Sequence, residues 1–186
     1  ALFDMGALEA TVPDTQAPTV SFLQPAVTAH LRQTVTVEAQ ATDSGSGVAG
    51  LTLHADSQSL TATLAPTVPP PAASVTATAS WNTTTVTDGT HTLIATATDQ
   101  ATNTTTAQRV VIVDNTPPDT SISSGPIGEI TTSSATFTYT GTDNITPVGS
   151  LAFAWRLDGG TYTSFSATTT ATLTGLAEGP HSFEVA

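Results

Sequence analysis

The side chains with the richest coordination chemistry in this 186-residue sequence are acidic, and they recur in two sets. Asp14, Asp43 and Asp99 stand with Asn103 in the first, and Asp114 and Asp143 stand with Asn115 and Asn144 in the second. Hard cations such as calcium take six to eight oxygen ligands, which converging carboxylates and backbone carbonyls supply. No D-x-D-x-D-G loop is present, so the fold would have to gather the ligands. The same residue types also build turns, because Asp caps its neighbours and tolerates tight backbone geometry. The candidate metal ligands are therefore Asp14, Asp43, Asp99, Asn103, Asp114 and Asp143, with calcium the expected ion. A weak site is expected, with a Kd on the order of 10⁻⁴–10⁻³ M.

Other chemistry is thinly represented. His30, His54, His91 and His181 show neither a Ser-His-Asp order nor a pair at metal-ligand spacing. His91 and His181 precede equivalent strands, which implies a repeated structural role. No cleft is implied for a pair of catalytic carboxylates, so the expectation is a chain that is not an enzyme. Trp155 and Tyr139 fall on inward faces and read as core, whereas Trp81 and Tyr162 remain candidates for stacking on a sugar. Three triplets, at Asn82, Asn103 and Asn144, match glycosylation sequons, as chance allows in so Thr-rich a chain.

Composition narrows the partners. The formal charge is −12, there is no Lys, and the only Arg residues are Arg32, Arg109 and Arg156. Such a chain repels phosphate backbones and anionic lipid, so nucleic acid and membrane insertion are excluded as expectations and cations favoured. No apolar run approaches the ~20 residues of a membrane helix. With no Cys, disulfides and thiolate metal sites drop out. No signal peptide is visible and residue 1 is Ala, so a processed chain or a piece of a longer one is expected.

The elements that must position these residues are strands. Roughly a fifth of the residues are Thr, a β-branched type suited to half-exposed strands. Sliding the chain by one hundred residues superposes Asp14 on Asp114, Pro18 on Pro118, and Thr34–Asp43 on Ser134–Asp143. Both long segments alternate: Val35, Val37, Ala39 and Ala41 in one, Ala135, Phe137, Tyr139 and Gly141 in the other. Period two means a strand with one buried face. Leu51, Leu53 and Ala55 correspond to Leu151, Phe153 and Trp155, and Asp158-Gly159-Gly160 reads as a hairpin turn. Further on the offset becomes ninety, matching Val86–Ala95 to Leu176–Val185. The first copy thus carries about ten extra residues, assigned to the Pro-rich loop Pro66–Ser74, which cannot join a sheet interior. The predicted fold class is all-β, two tandem β-sandwiches: a linker or end of a preceding domain over 1–13, domain one over 14–113 and domain two over 114–186. Pro117 and Pro118 stiffen the joint.

Three stretches of the first copy carry a family resemblance: D-T-Q-A-P-T-V, V-E-A-Q-A-T-D-S-G-S-G-V-A-G-L, and W-N-T-T-T-V-T-D-G-T-H-T-L-I-A-T-A-T-D-Q-A-T-N. In the second copy they are D-N-T-P-P-D-T, L-D-G-G and L-A-E-G-P-H-S-F-E-V-A. These resemble bacterial immunoglobulin-like (Ig-like) repeats of surface and secreted proteins, although Ala101-Thr102-Asn103 lacks the Gly usual in that turn. Leu2–Glu9 resembles the closing segment of secreted parallel β-helix proteins. The resemblance implies that the entering linker and two inter-strand loops meet at one pole, bringing Asp14, Asp43 and Asp99 with Asn103 together, and likewise Asp114 and Asp143. It further implies an extracellular, cell-surface location and a structural or adhesive stalk. The partners are neighbouring domains or copies of the chain itself, with a surface glycan or protein as a further target. By the repeat, domain two stops about 17 residues short, before its last strand. Either the sequence continues in a longer chain, or another chain donates the strand. Donation makes the protein a filament or sheath subunit, with Leu2–Val12 a candidate donor weakened by Asp4 and Gly6. A third reading is an accessory module of a polysaccharide-active enzyme.

Overall fold

The computed structural model describes residues 13–186. The segments Leu2–Glu9 and Leu2–Val12, read above as a β-helix end and a donor strand, lie outside the described residues. The chain divides into two compact units, one ending at Asn115 and the other comprising Thr116–Ala186. The division falls slightly later than the sequence places it, because Asn115 is hydrogen-bonded into the first unit through Gln33, Thr83 and Asp88. Among the described residues no helix is long and apolar enough to cross a membrane.

The first unit is a sandwich of two sheets. One contains β1 (Thr19–Gln24), β3 (Thr34–Thr42), β6 (Ala62–Ala65) and β7 (Ser74–Asn82), in the order β1-β3-β7-β6. The other contains β2 (His30–Leu31), β4 (Val48–Ala55), β5 (Gln58–Leu60), β8 (Gly89–Asp99) and β9 (Thr104–Val113), in the order β2-β9-β8-β4-β5. Alternation dictates which residues face inward. Val37, Ala39 and Ala41 of β3, Val75, Ala77, Ala79 and Trp81 of β7, Leu51 and Leu53 of β4, and Leu93, Ala95 and Ala97 of β8 are buried together. Val111 and Val113 of β9 close this core beside β8. With so many small aliphatics, Trp81, only 1% exposed, fills a disproportionate share of the interior.

The second unit repeats part of this plan. β10 (Asp119–Ser124), β11 (Ser134–Thr142) and β13 (Thr170–Thr174) form one sheet. β12 (Trp155–Leu157) pairs with β14 (Phe183–Val185) in the other. The bounds of β3 and β11 differ by the same one hundred residues that the sequence repeat gives. Tyr139, Leu151, Phe153 and Ala171 are buried, with Trp155 packed against them. Both copies turn on a residue at positive φ, Asp56 and Asp158; in the second, Gly159 follows at φ 67 and the Gly160 N–H donates to the Leu157 carbonyl. Two successive positive φ values give the hairpin turn that matches strand twist. The extra length of the first copy is not confined to the Pro-rich loop: it also builds β5 and β6, which have no strand counterparts among the described residues of the second unit.

Candidate metal centre

Asp14 lies in the segment entering the first unit, Asp43 follows β3, and Asp99 ends β8. The three come together at one pole, where each offers a carboxylate oxygen and these oxygens all lie within 4.8 Å of one another. Each carboxylate is held by its own loop. Asp14 accepts the N–H of Gln16 at 2.9 Å and of Ser46 at 2.7 Å. Asp43 Oδ1 accepts the N–H of Gly45 and of Gly47, at 3.1 and 2.6 Å. Asp99 accepts the Asn103 N–H at 2.7 Å on Oδ1 and the Asn103 Nδ2–H at 2.7 Å on Oδ2. Asn103 therefore sits at the cluster as expected, with its amide nitrogen holding Asp99 and reaching the Asp14 carbonyl at 3.2 Å.

Electrostatics makes this pole unusual. Hydrogen bonds from Gln16 and Ser46 pull the Asp14 carboxyl below its ordinary value, so it stays ionised. Asp43 and Asp99 are buried, at 7% and 1% exposure. Among the described residues no Arg or His forms an ion pair with any of the three. Arg109 instead donates to the carbonyls of Phe22 and Pro25, and Arg156 binds Glu184. Oxygen donors from three loops, spaced this closely, are of the type that a hard cation takes as ligands.

Asp114 and Asp143 do not complete a second such group among the described residues. Asp114 belongs to the first unit, where its N–H donates to the Leu31 carbonyl. Asp143, in the second unit, caps its own turn by accepting the N–H of Ile145 and Thr146. It repeats the turn made by Asp43.

The histidines resolve into a structural device. His91 Nδ1 lies 2.6 Å from Asp56 Oδ2 and Nε2 lies 2.8 Å from the Thr87 carbonyl; His181 repeats this with Asp158 at 2.7 Å and Ala177 at 3.0 Å. Asp56 and Asp158 also accept the backbone N–H of Thr92 and Ser182. Sequence reading missed both Asp partners; their signal was a β-turn Asp preceding each hairpin return. Trp81 is buried, with its ring edge-on to His91, so it offers no sugar platform. Tyr162 is 37% exposed, but the Arg156 guanidinium lies over its ring at 4.7 Å.

The first sandwich also matches a known sequence family, over residues 18–95. The family model is that of the bacterial Ig domain. No curated protein sequence matches the chain. Among solved structures it is similar to the fibronectin(III)-like modules of Clostridium thermocellum CbhA, at 16% identity and a TM-score of 0.45, over 90% of this chain and 84% of that one. A fragment of titin is similar at 11% identity and a TM-score of 0.48, over 91% of this chain and 60% of that one. An endo-β-1,4-mannanase from Thermotoga petrophila is similar at 19% identity and a TM-score of 0.44, over 55% of this chain. This chain covers 21% of the mannanase's length.

Proposed function

We propose that this chain is a non-catalytic, extracellular stalk module of a bacterial surface or secreted protein, stiffened by calcium at the pole of its Ig domain. The observation that carries the reading is how short the joint between the two units is. The Asn115 side chain accepts the Gln33 N–H at 2.9 Å and the Thr83 hydroxyl at 3.1 Å, and donates to the Thr83 carbonyl at 3.0 Å. The Asn115 N–H donates to Asp88 at 2.7 Å. β10 begins at Asp119, leaving Thr116, Pro117 and Pro118 between. Proline fixes φ and favours extended backbone, so a joint of this composition bends little.

The entering segment is fastened in a related way. Asp14 brings the incoming chain to Asp43 and Asp99. A calcium ion there would tie that segment to the loops after β3 and β8. Neighbouring domains are then the primary partners, with a surface glycan or protein as the target of an adhesive stalk.

The test is the distance distribution between fluorophores placed on the two units, measured by single-molecule energy transfer. A narrow distribution that broadens in the P117G/P118G variant is expected. A native distribution as broad as that of the variant overturns the stalk reading.

A further inference from the structure

We propose that His91 is a pH-sensitive clamp on the joint: its protonated ring grips the loop that fastens Asn115, and loss of the proton loosens that hold. The proposal rests on the stalk reading, in which a short joint sets the stiffness.

The loop is residues 83–88, between β7 and β8. Its two ends hold Asn115. At one end the Thr83 hydroxyl donates to the Asn115 side chain at 3.1 Å, and the Thr83 carbonyl accepts from it at 3.0 Å. At the other end Asp88 Oδ1 accepts the Asn115 N–H at 2.7 Å. Thr87 precedes Asp88, and its carbonyl lies 2.8 Å from His91 Nε2. The ring therefore reaches the joint through Thr87, Asp88 and Asn115, by one hydrogen bond, one peptide unit and one further hydrogen bond. The start of the loop is braced separately: the Thr83 N–H donates to the Gln33 carbonyl at 2.8 Å, and Asn82 accepts the Thr84 N–H at 3.1 Å. Thr87 and Asp88 lie beyond this brace, on the side that His91 holds.

Protonation decides whether the grip exists. Asp56 Oδ2 lies 2.6 Å from His91 Nδ1, opposite the Thr87 contact. Both neighbours are acceptors, so the two bonds need two N–H groups, which only the imidazolium has. A neutral ring keeps one. The bond to a carboxylate is charge-assisted and stronger than the bond to a carbonyl, so the proton stays on Nδ1. Nε2 then turns a lone pair toward the Thr87 carbonyl oxygen, 2.8 Å away, and the two acceptors repel. The Thr87–Asp88 peptide is displaced, and the Asp88 bond to Asn115 with it.

The surroundings set the direction of the switch. Asp56, from the β4–β5 turn, is the charged group paired with the ring among the described residues. β7 presents the Trp81 ring edge-on, and β9 pairs Val111 with His91 across the sheet. Burial works against the imidazolium, but the bonds to Asp56 and Thr87 outweigh it and raise the His91 pKa. Asp56, its own pKa lowered, stays ionised in that range. The grip is thus complete below the unfolded value of about 6.5 and is lost as pH rises through the higher folded value. His181 repeats the two bonds, to Asp158 and Ala177, but is exposed where His91 is buried.

A pH titration of the full chain tests this, followed by NMR of the histidine rings and the Asn115 amides and by energy transfer between the two units. We expect the Asn115 backbone and side-chain shifts to follow the His91 ring with one shared midpoint, and the distance distribution to broaden across it. In D56N, loss of the carboxylate charge should move both midpoints down by about one pH unit, while the His181 midpoint stays in place. Asn115 shifts that remain flat while His91 titrates in the native protein, or that keep their midpoint in D56N, overturn the proposal. A distribution that is narrow at every pH overturns it and leaves the stalk reading standing. A distribution that is broad at every pH overturns the stalk reading and the proposal with it.

Discussion

His91 on β8 and Asp56 in the β4–β5 turn form a charged latch within one sheet of the first sandwich: the imidazole points Nδ1 at the carboxylate, 2.6 Å away, and Nε2 at the Thr87 carbonyl, 2.8 Å away. Neither acceptor carries a proton to give, so both ring nitrogens must donate, and only the imidazolium has two N–H groups. Burial pushes the His91 pKa down, but the bonds to Asp56 and Thr87 outweigh it and raise it overall. Burial likewise pushes Asp56 up, and the Thr92 N–H and His91 bring it below its ordinary value. The His91 contribution is therefore complete below its unfolded pKa of about 6.5 and is lost as pH rises through the raised folded value. The Asp56 contribution is complete above about 3.9 and is lost as pH falls through the lowered value. D56N should cost about 1 kcal/mol between these limits, the Asp being half-exposed, and should flatten the fall of stability at alkaline pH. Urea unfolding of both forms across pH checks this.

Calcium should raise the melting temperature of the first unit, and D99N should abolish that rise. Asp99 is the most buried of the three carboxylates, and its loss removes an oxygen charge from the centre of the cluster. Calorimetry with calcium and with a chelator reads both effects.

Gly45 supplies an independent probe of the same pole. A Cβ at this position would collide with the Asp14 carboxylate. G45A should therefore push Asp14 out of the cluster and weaken calcium binding while leaving every carboxylate in the chain. Titration calorimetry against the native protein is the check.

Trp81 is the largest fully buried side chain of the first core. W81A should cost about 3–5 kcal/mol, because side chains as small as Val35, opposite it on β3, and Ala79, two residues back on β7, cannot collapse into the space. The loss should appear in the unfolding of the first unit and leave that of the second unchanged.

Asn115 should behave as the end stop of the first unit. N115A leaves the Gln33 N–H and the Thr83 carbonyl without their present partner, at about 1–3 kcal/mol. It should also lengthen the joint, so the energy-transfer distribution between the units should broaden as is expected for the proline variant.

Much of the architecture was legible in the residues. Alternation of Val37, Ala39 and Ala41 against Thr and Gln announces a strand with one buried face, and the structure buries those three. The hundred-residue repeat carried that assignment to β11. Trp81 was less legible, because a single large ring between polar neighbours suits either a core or a binding face, and burial by the opposite sheet decides which. The Asp partners of His91 and His181 were hidden for a related reason. A turn Asp is ordinary on its own, and only the approach of the β4–β5 turn to β8 places Asp56 beside the imidazole.

The sequence by itself determined the long alternating strands, the duplication and the acidic surplus, because these depend on local periods and composition that neighbouring residues record. Tertiary structure alone decided that Asp14, Asp43 and Asp99 fall within 4.8 Å of one another, and that Asp56 and Asp158 stand beside His91 and His181. Both outcomes depend on pairings between residues far apart in the chain. No local period encodes such a distance; it is set when two sheets close on a shared apolar core and carry their loops to a common pole.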